Sequence, residues 1–193
     1  WGFSDTPLRL PALAEGGWSR WLECAAVLLL TGIALGLRLH NLEAVRAFVD
    51  EGTFLLPTTA FDSDQTIHLL RPFNTLFAFQ NIYPYLQWLY GSVTDSGLVA
   101  LRIPSAIFGG LTIPALYLLA KHLFDRPTAF VAAGLLAMLP VHLHWSRFGL
   151  NNAADPLFGV LTFALLARGI RQGGRWHFAA AGVCLGLTQY LYE

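Results

Sequence analysis

Long apolar runs constrain this chain more than any other feature. Trp21 to Leu39 is almost uninterrupted in its apolar character. About 20 such residues at 1.5 Å rise match a hydrocarbon core of about 30 Å, so the run is long enough to cross a bilayer as one helix. Further runs follow at Leu98–Leu119, Thr128–Trp145, Ala153–Ala167 and Trp176–Tyr192. Within 193 residues, of which 55% are hydrophobic and 12% charged, five stretches of near-spanning length leave little room for a soluble core. The fold expected is all-α: a polytopic transmembrane helix bundle of about five spans, treated as one domain over residues 1–193.

The charged residues gather between the runs. Residues 40–97 form a long first loop whose segments Phe54–Phe61 and Phe73–Tyr90 are aromatic but broken by Pro57, Pro72 and Pro84. Short helices lying at the membrane surface suit that pattern. Trp18 and Trp21 suit the interface ahead of the first span. That span exceeds the apolar region of a signal peptide and has no clear small-residue cleavage site, so an anchor helix is expected. No Met opens the chain and it stops at Tyr190-Leu191-Tyr192-Glu193, which reads as part of a longer protein. Cys24 and Cys184 lie in different spans and are expected to be inert packing residues rather than a disulfide or a zinc site. Twelve basic and twelve acidic residues cancel, a balance that by itself argues nothing about nucleic acid, and no nucleic-acid partner is expected.

Lys and Arg in short loops set orientation. One side carries Arg9, Arg20, Lys121, Arg126, Arg168, Arg171 and Arg175; the other carries Arg38, Arg46, Arg71, Arg102 and Arg147 over much longer sequence. The first side is therefore expected to be cytoplasmic and the 40–97 loop extracytoplasmic. Alternation of spans then puts the acidic pair Asp50-Glu51 and the lone Asp155 on one outer face. Acidic dipeptides are common in solvated loops and at helix N-termini. This one is flanked by Phe48-Val49 and Phe54-Leu55-Leu56, a setting for carboxylates that line a cavity. Asp155 precedes Pro156, where an acid can cap a helix. A charge at the centre of a span costs about 2.5–3.5 kcal/mol, so Asp155 is expected at a span edge or facing a polar cavity. Arg102 and Arg147, at the outer ends of spans, can take a phosphate bidentately or snorkel to headgroups. His142 and His144, two apart on a helix, point in different directions and suit packing or a polar cavity better than a shared metal.

Three groups of residues then carry a resemblance: Arg38-Leu39-His40-Asn41-Leu42 followed by Asp50-Glu51, Leu101-Arg102-Ile103-Pro104-Ser105, and Pro140-Val141-His142-Leu143-His144-Trp145-Ser146-Arg147 followed by Asp155. In order and spacing the chain resembles the N-terminal part of a GT-C glycosyltransferase, in the group of the protein O-mannosyltransferases (glycosyltransferase family 39) and the aminoarabinose transferases acting on lipid A. The resemblance implies a polyprenyl-phosphate sugar donor, bound in a cavity open to the outside of a bacterial or archaeal plasma membrane. It implies a hexosyl or pentosyl transfer to a lipid, glycan or protein acceptor. Asp50, Glu51 and Asp155 become the catalytic candidates, with Asp50 as base; Arg102, Arg147, His144 and Asn152 become the substrate-binding candidates. The segment Gln80-Asn81-Ile82-Tyr83-Pro84-Tyr85 resembles the family's surface helix in the first loop. Asn151-Asn152 stands where a charged neighbour often precedes the second acid. A divalent cation, Mg²⁺ or Mn²⁺, would be held by carboxylates. The competing expectation is a transporter or lipid flippase, whose carboxylates would sit near mid-membrane on broken helices. A non-catalytic assembly protein gives no reason for apolar-flanked acids on one face.

Overall fold

The computed structural model describes residues 19–44, 46–61, 82–94 and 97–192. Trp18, Arg9, Arg71, Pro72 and the stretch from Phe73 to Asn81, all used above, lie outside the described residues. Eight α-helices are described: α1 (Arg20–Leu39), α2 (Glu51–Ala60), α3 (Ile82–Gly91), α4 (Gly97–Leu123), α5 (Arg126–Met138), α6 (Pro140–Trp145), α7 (Asp155–Gln172) and α8 (Arg175–Tyr192). Two 3₁₀ turns, Leu42–Ala44 and Asn151–Ala154, lead out of α1 and into α7. There is no strand among the described residues.

Local chemistry sets the ends. Ser19 accepts from the Leu22 amide at 3.3 Å to start α1, and Asn41 leaves the helical region at φ 47° just after it ends. Asp125 accepts from the Thr128 amide at 2.9 Å, and Pro127 sits in the first turn of α5. Gly173, at φ 70°, closes α7 with its amide on the Gly169 carbonyl, a left-handed position that suits glycine.

Among the described residues three helices are long and apolar enough to cross a membrane: α1, α4, and α7 with its leading 3₁₀ turn. The expected third span is divided. Leu139 is extended at φ −61°, ψ 116°, because the ring of Pro140 clashes with a helical residue before it, so α5 ends at Met138 and α6 restarts the path. The expected fifth span is helical as α8 but is not among the three. The first-loop expectation of short helices is met by α2 and α3, both within 40–97.

α4 is the hub, packed against α1, α3, α5 and α7, while α7 and α8 form a hairpin. Its seam with α1 and α5 is built from Ala34, Ile113, Tyr117, Ala120, Ala129, Ala133 and Ala137. Alanines let helix backbones approach closely where lipid removes any hydrophobic drive between helices. In the other half of α4, Leu101 packs with larger groups from outside it, Phe54, Tyr83, Phe148 and Leu150. Glu51 reaches both Arg102 and Gly149, and Arg147 reaches the end of α1. The C-terminus of α1, the N-terminus of α4, the 146–150 segment and the start of α7 therefore gather at one end of the bundle, and Asp50 and Asp155 with them.

Candidate active site at the acidic end of the bundle

Glu51 organises this end. Only 2% of its surface is exposed, and each carboxylate oxygen accepts two hydrogen bonds. Oε1 takes Arg102 Nε at 2.7 Å and the Gly149 amide at 2.8 Å; Oε2 takes Arg102 Nη2 at 2.7 Å and the Phe48 amide at 2.9 Å. Arg102 is fully buried, and its Nη1 donates to the Leu42 carbonyl at 2.5 Å. Its guanidinium also lies 5.8 Å from the centre of the Phe148 ring. Burial pushes the Glu51 carboxyl up, but the bidentate Arg102 and the two backbone donors outweigh it and hold the group below the usual carboxylate range. The pair thus ties the first loop, α4 and the 148–150 turn into one unit. Gly149 makes this possible: a Cβ there would lie 2.8 Å from the Leu101 carbonyl oxygen.

A second staple comes from α3. Tyr83 and Gln87 lie four residues apart and so share a helix face. Gln87 Nε2 donates to the carbonyls of Leu101 at 2.9 Å and Gly149 at 3.1 Å. Ser105 Oγ donates to the Leu150 carbonyl at 3.2 Å, which leaves Tyr83 to donate its hydroxyl proton to Ser105. Burial raises the Tyr83 phenol, so it remains a donor.

The remaining candidates stand around this frame. Asp50 is exposed at the start of α2, and its side chain makes no cap bond and has no partner among the described residues. Asp155 is the first residue of α7 and half-buried; it makes no cap bond either, and its Oδ1 is sealed without a partner. Arg147 Nη2 donates to the carbonyls of His40 at 2.8 Å and Asn41 at 3.0 Å. His144 is exposed with its ring at right angles to Phe148, 4.8 Å between centres. Asn152 is exposed on the 3₁₀ turn before Asp155. Asp50 and Glu51, adjacent in sequence, have opposite environments: one accessible and unpartnered, the other sealed and saturated. Among the described residues no three His, Cys, Asp or Glu side chains group as metal ligands, and Glu51 has no lone pair left for one.

Several residues here were not singled out for a role by sequence. Gly149, Tyr83 and Gln87 carry the frame; Tyr83 lies in the segment likened to the family's surface helix, and its i, i+4 spacing to Gln87 was the further signal present. Arg38 is fully buried on α1 and donates from Nη2 to His142 Nδ1 at 2.8 Å.

No curated protein and no solved structure matches the chain. The sequence profile of the dolichyl-phosphate-mannose-protein mannosyltransferases matches residues 81–192, more than half of it, a range that holds Arg102, the 140–150 segment and Asp155. On that match the chain belongs to the dolichyl-phosphate-mannose-protein mannosyltransferase family, membrane glycosyltransferases that draw their sugar from a polyprenyl-phosphate carrier.

Proposed function

We propose that Asp50 is the general base for transfer of a hexosyl or pentosyl unit from a polyprenyl phosphate to a hydroxyl of a lipid, glycan or protein at the extracytoplasmic face. The observation that carries the reading is the division of labour within the acidic pair. Glu51 is used up by Arg102, Phe48 and Gly149, so the accessible carboxylate beside it is free to take a proton.

The chemistry needs little else. The acceptor hydroxyl gives its proton to Asp50 as its oxygen bonds to the anomeric carbon, and the bond from that carbon to the phosphate oxygen breaks with the electron pair leaving on phosphate. The transition state is oxocarbenium-like, and phosphate is already a good leaving group, so no strong general acid is required. Arg147, which keeps donor capacity beyond its two carbonyl bonds, suits the departing charge. Arg102 is committed to Glu51 and is read as the scaffold cation. Asp155, half-buried and without a bonded partner among the described residues, suits the acceptor hydroxyl, and His144 and Asn152 are exposed at the same end of the bundle.

Orientation has support from burial. At the acidic end Arg38 and Arg102 are buried and bonded and Arg46 is exposed, whereas at the other end Arg20, Arg168 and Arg175 are all exposed. The freely solvated positive charge favours the latter end as cytoplasmic. A cysteine at Asn152, with Cys24 and Cys184 replaced by serine, is expected to react with an impermeant thiol reagent in intact cells; labelling only after lysis would invert the assignment.

The decisive test is Asp50→Asn. Asn keeps the volume but cannot take a proton near neutral pH, and general-base catalysis contributes about 10²–10⁴-fold. Turnover of a polyprenyl-phosphate sugar should fall by about that factor, with abundance, thermal stability and donor binding little changed. Near wild-type turnover would remove Asp50 as the base.

A further inference from the structure

Arg38 is a cation with no exposed surface and no carboxylate in contact among the described residues. Its Nη1 donates to the Ala34 carbonyl at 2.9 Å and to the Ala137 carbonyl at 3.4 Å. The Ala137 carbonyl belongs to the last turn of α5, where the helix dipole places partial negative charge, while Ala34 lies one turn before the end of α1. Ala137 lies at the break before Pro140, so Arg38 also fills a gap in the divided third span. Gly109 leaves the room: a Cβ there would lie 3.2 Å from Arg38 Nε and 2.3 Å from Ser146 Cβ.

Two helix carbonyls account for Nη1 but not for Nη2, which donates to His142 Nδ1 at 2.8 Å. A guanidinium has no acceptor, so Nδ1 must present its lone pair and the proton of a neutral ring must sit on Nε2. His142 is half-exposed, and Nε2 has no partner among the described residues and is not among their sealed polar atoms. A buried cation therefore holds an imidazole so that one N–H is offered outward, at the same end of the bundle as Asp50 and Arg147. What such a donor beside an unneutralised cation receives is an anion at membrane depth.

The geometry points to His142 as a neutral hydrogen-bond donor to the phosphate of a membrane-borne phospholipid substrate, with Arg38 as the positioning residue that sets its tautomer. This deepens the transferase reading and rests on it: the phosphate is that of the polyprenyl carrier. His142 adds directional donation without a second positive charge, so the product phosphate can still leave. A structural lipid headgroup carries the same phosphate chemistry, and the test separates the two sources.

The experiment uses ¹⁵N-histidine NMR of the protein in phosphatidylcholine nanodiscs, with His142 assigned by His142→Gln, alongside binding of added polyprenyl phosphate. The expected spectrum has His142 neutral with its proton on Nε2, and polyprenyl phosphate shifts that N–H signal. His142→Leu should weaken polyprenyl-phosphate binding about ten- to a hundredfold, the scale of a hydrogen bond to a charged group. His142→Gln should stay within about threefold, because its carbonyl can accept from Arg38 while its amide donates outward. Should Arg38→Met fold, its His142 should lose the single tautomer. A proton on Nδ1, a doubly protonated ring, or binding that leaves His142 unmoved would overturn the inference and leave the transferase reading standing. A shift produced equally by phosphatidylglycerol nanodiscs without polyprenyl phosphate would reassign the site to headgroups and also overturn it. Failure of the wild-type protein both to bind polyprenyl phosphate and to turn over any lipid-linked sugar would sink both.

Discussion

Glu23 and Glu51 sit at opposite ends of the same bundle, both almost wholly buried, and they are held in different ways. Glu23 takes its partners from side chains alone: Tyr117 at 2.7 Å, Arg126 at 3.1 Å and Lys121. The two cations remain 20% and 34% exposed, so water and headgroups screen the cluster, and three donors share one carboxylate. Glu51 has one cation, itself sealed, and two backbone amides that cannot swing away. The first cluster fastens α1 to the α4–α5 turn with spare parts. The second fixes the path of a loop, and a loop whose path is fixed can hold the neighbouring Asp50 in a defined place.

The contrast can be broken at its stronger end first. Glu51→Gln should leave Arg102 buried without a counter-charge, a change that costs about 3–5 kcal/mol. Thermal unfolding in detergent should show the loss, and adding Arg102→Leu should recover part of it; additive losses would mean the two residues do not act as a pair. The same pair sets a pH limit. Because the Glu51 carboxyl is held below its usual value, its contribution is complete above the unfolded value near about 4.3 and is lost as pH falls through the lower folded value. An acid limb of unfolding should therefore shrink in the double variant.

Gly149→Ala tests the backbone half of the arrangement. The added methyl meets the Leu101 carbonyl, and relieving it should cost about 1–3 kcal/mol and weaken the Gly149 amide bond to Glu51. Stability unchanged within measurement error would show that the turn has room to shift. Glu23→Gln should have the smallest effect, about 1 kcal/mol or less, as expected for a screened cluster with redundant donors. A loss as large as that of Glu51→Gln would erase the distinction between the two ends.

The sequence made the bundle legible because apolar length is a local, one-dimensional property. It located α1, α4, the α5–α6 stretch, α7 and α8 between the loops, and the alternation of apolar runs already set Asp50 and Asp155 at one end. Pro140 was visible as a residue, yet the length of the apolar run around it read as one span; its effect on Leu139 is what divides α5 from α6. In the acidic pair, sequence could only present two adjacent carboxylates in apolar surroundings. Which of them is spent and which is free depends on Arg102 and Gly149, 51 and 98 residues from Glu51 along the chain. Likewise Arg38 and His142, 104 residues apart, read separately as a span end and a histidine suited to packing or a polar cavity, and only their contact gives the ring a defined tautomer. Composition and spacing therefore determined which segments are apolar enough to meet lipid and which polar residues stand between them. The assignment of each polar group to its partner was left to tertiary structure, because a hydrogen bond made inside a bundle is chosen by distance and direction in space, and neither is a property of the sequence on either side of it.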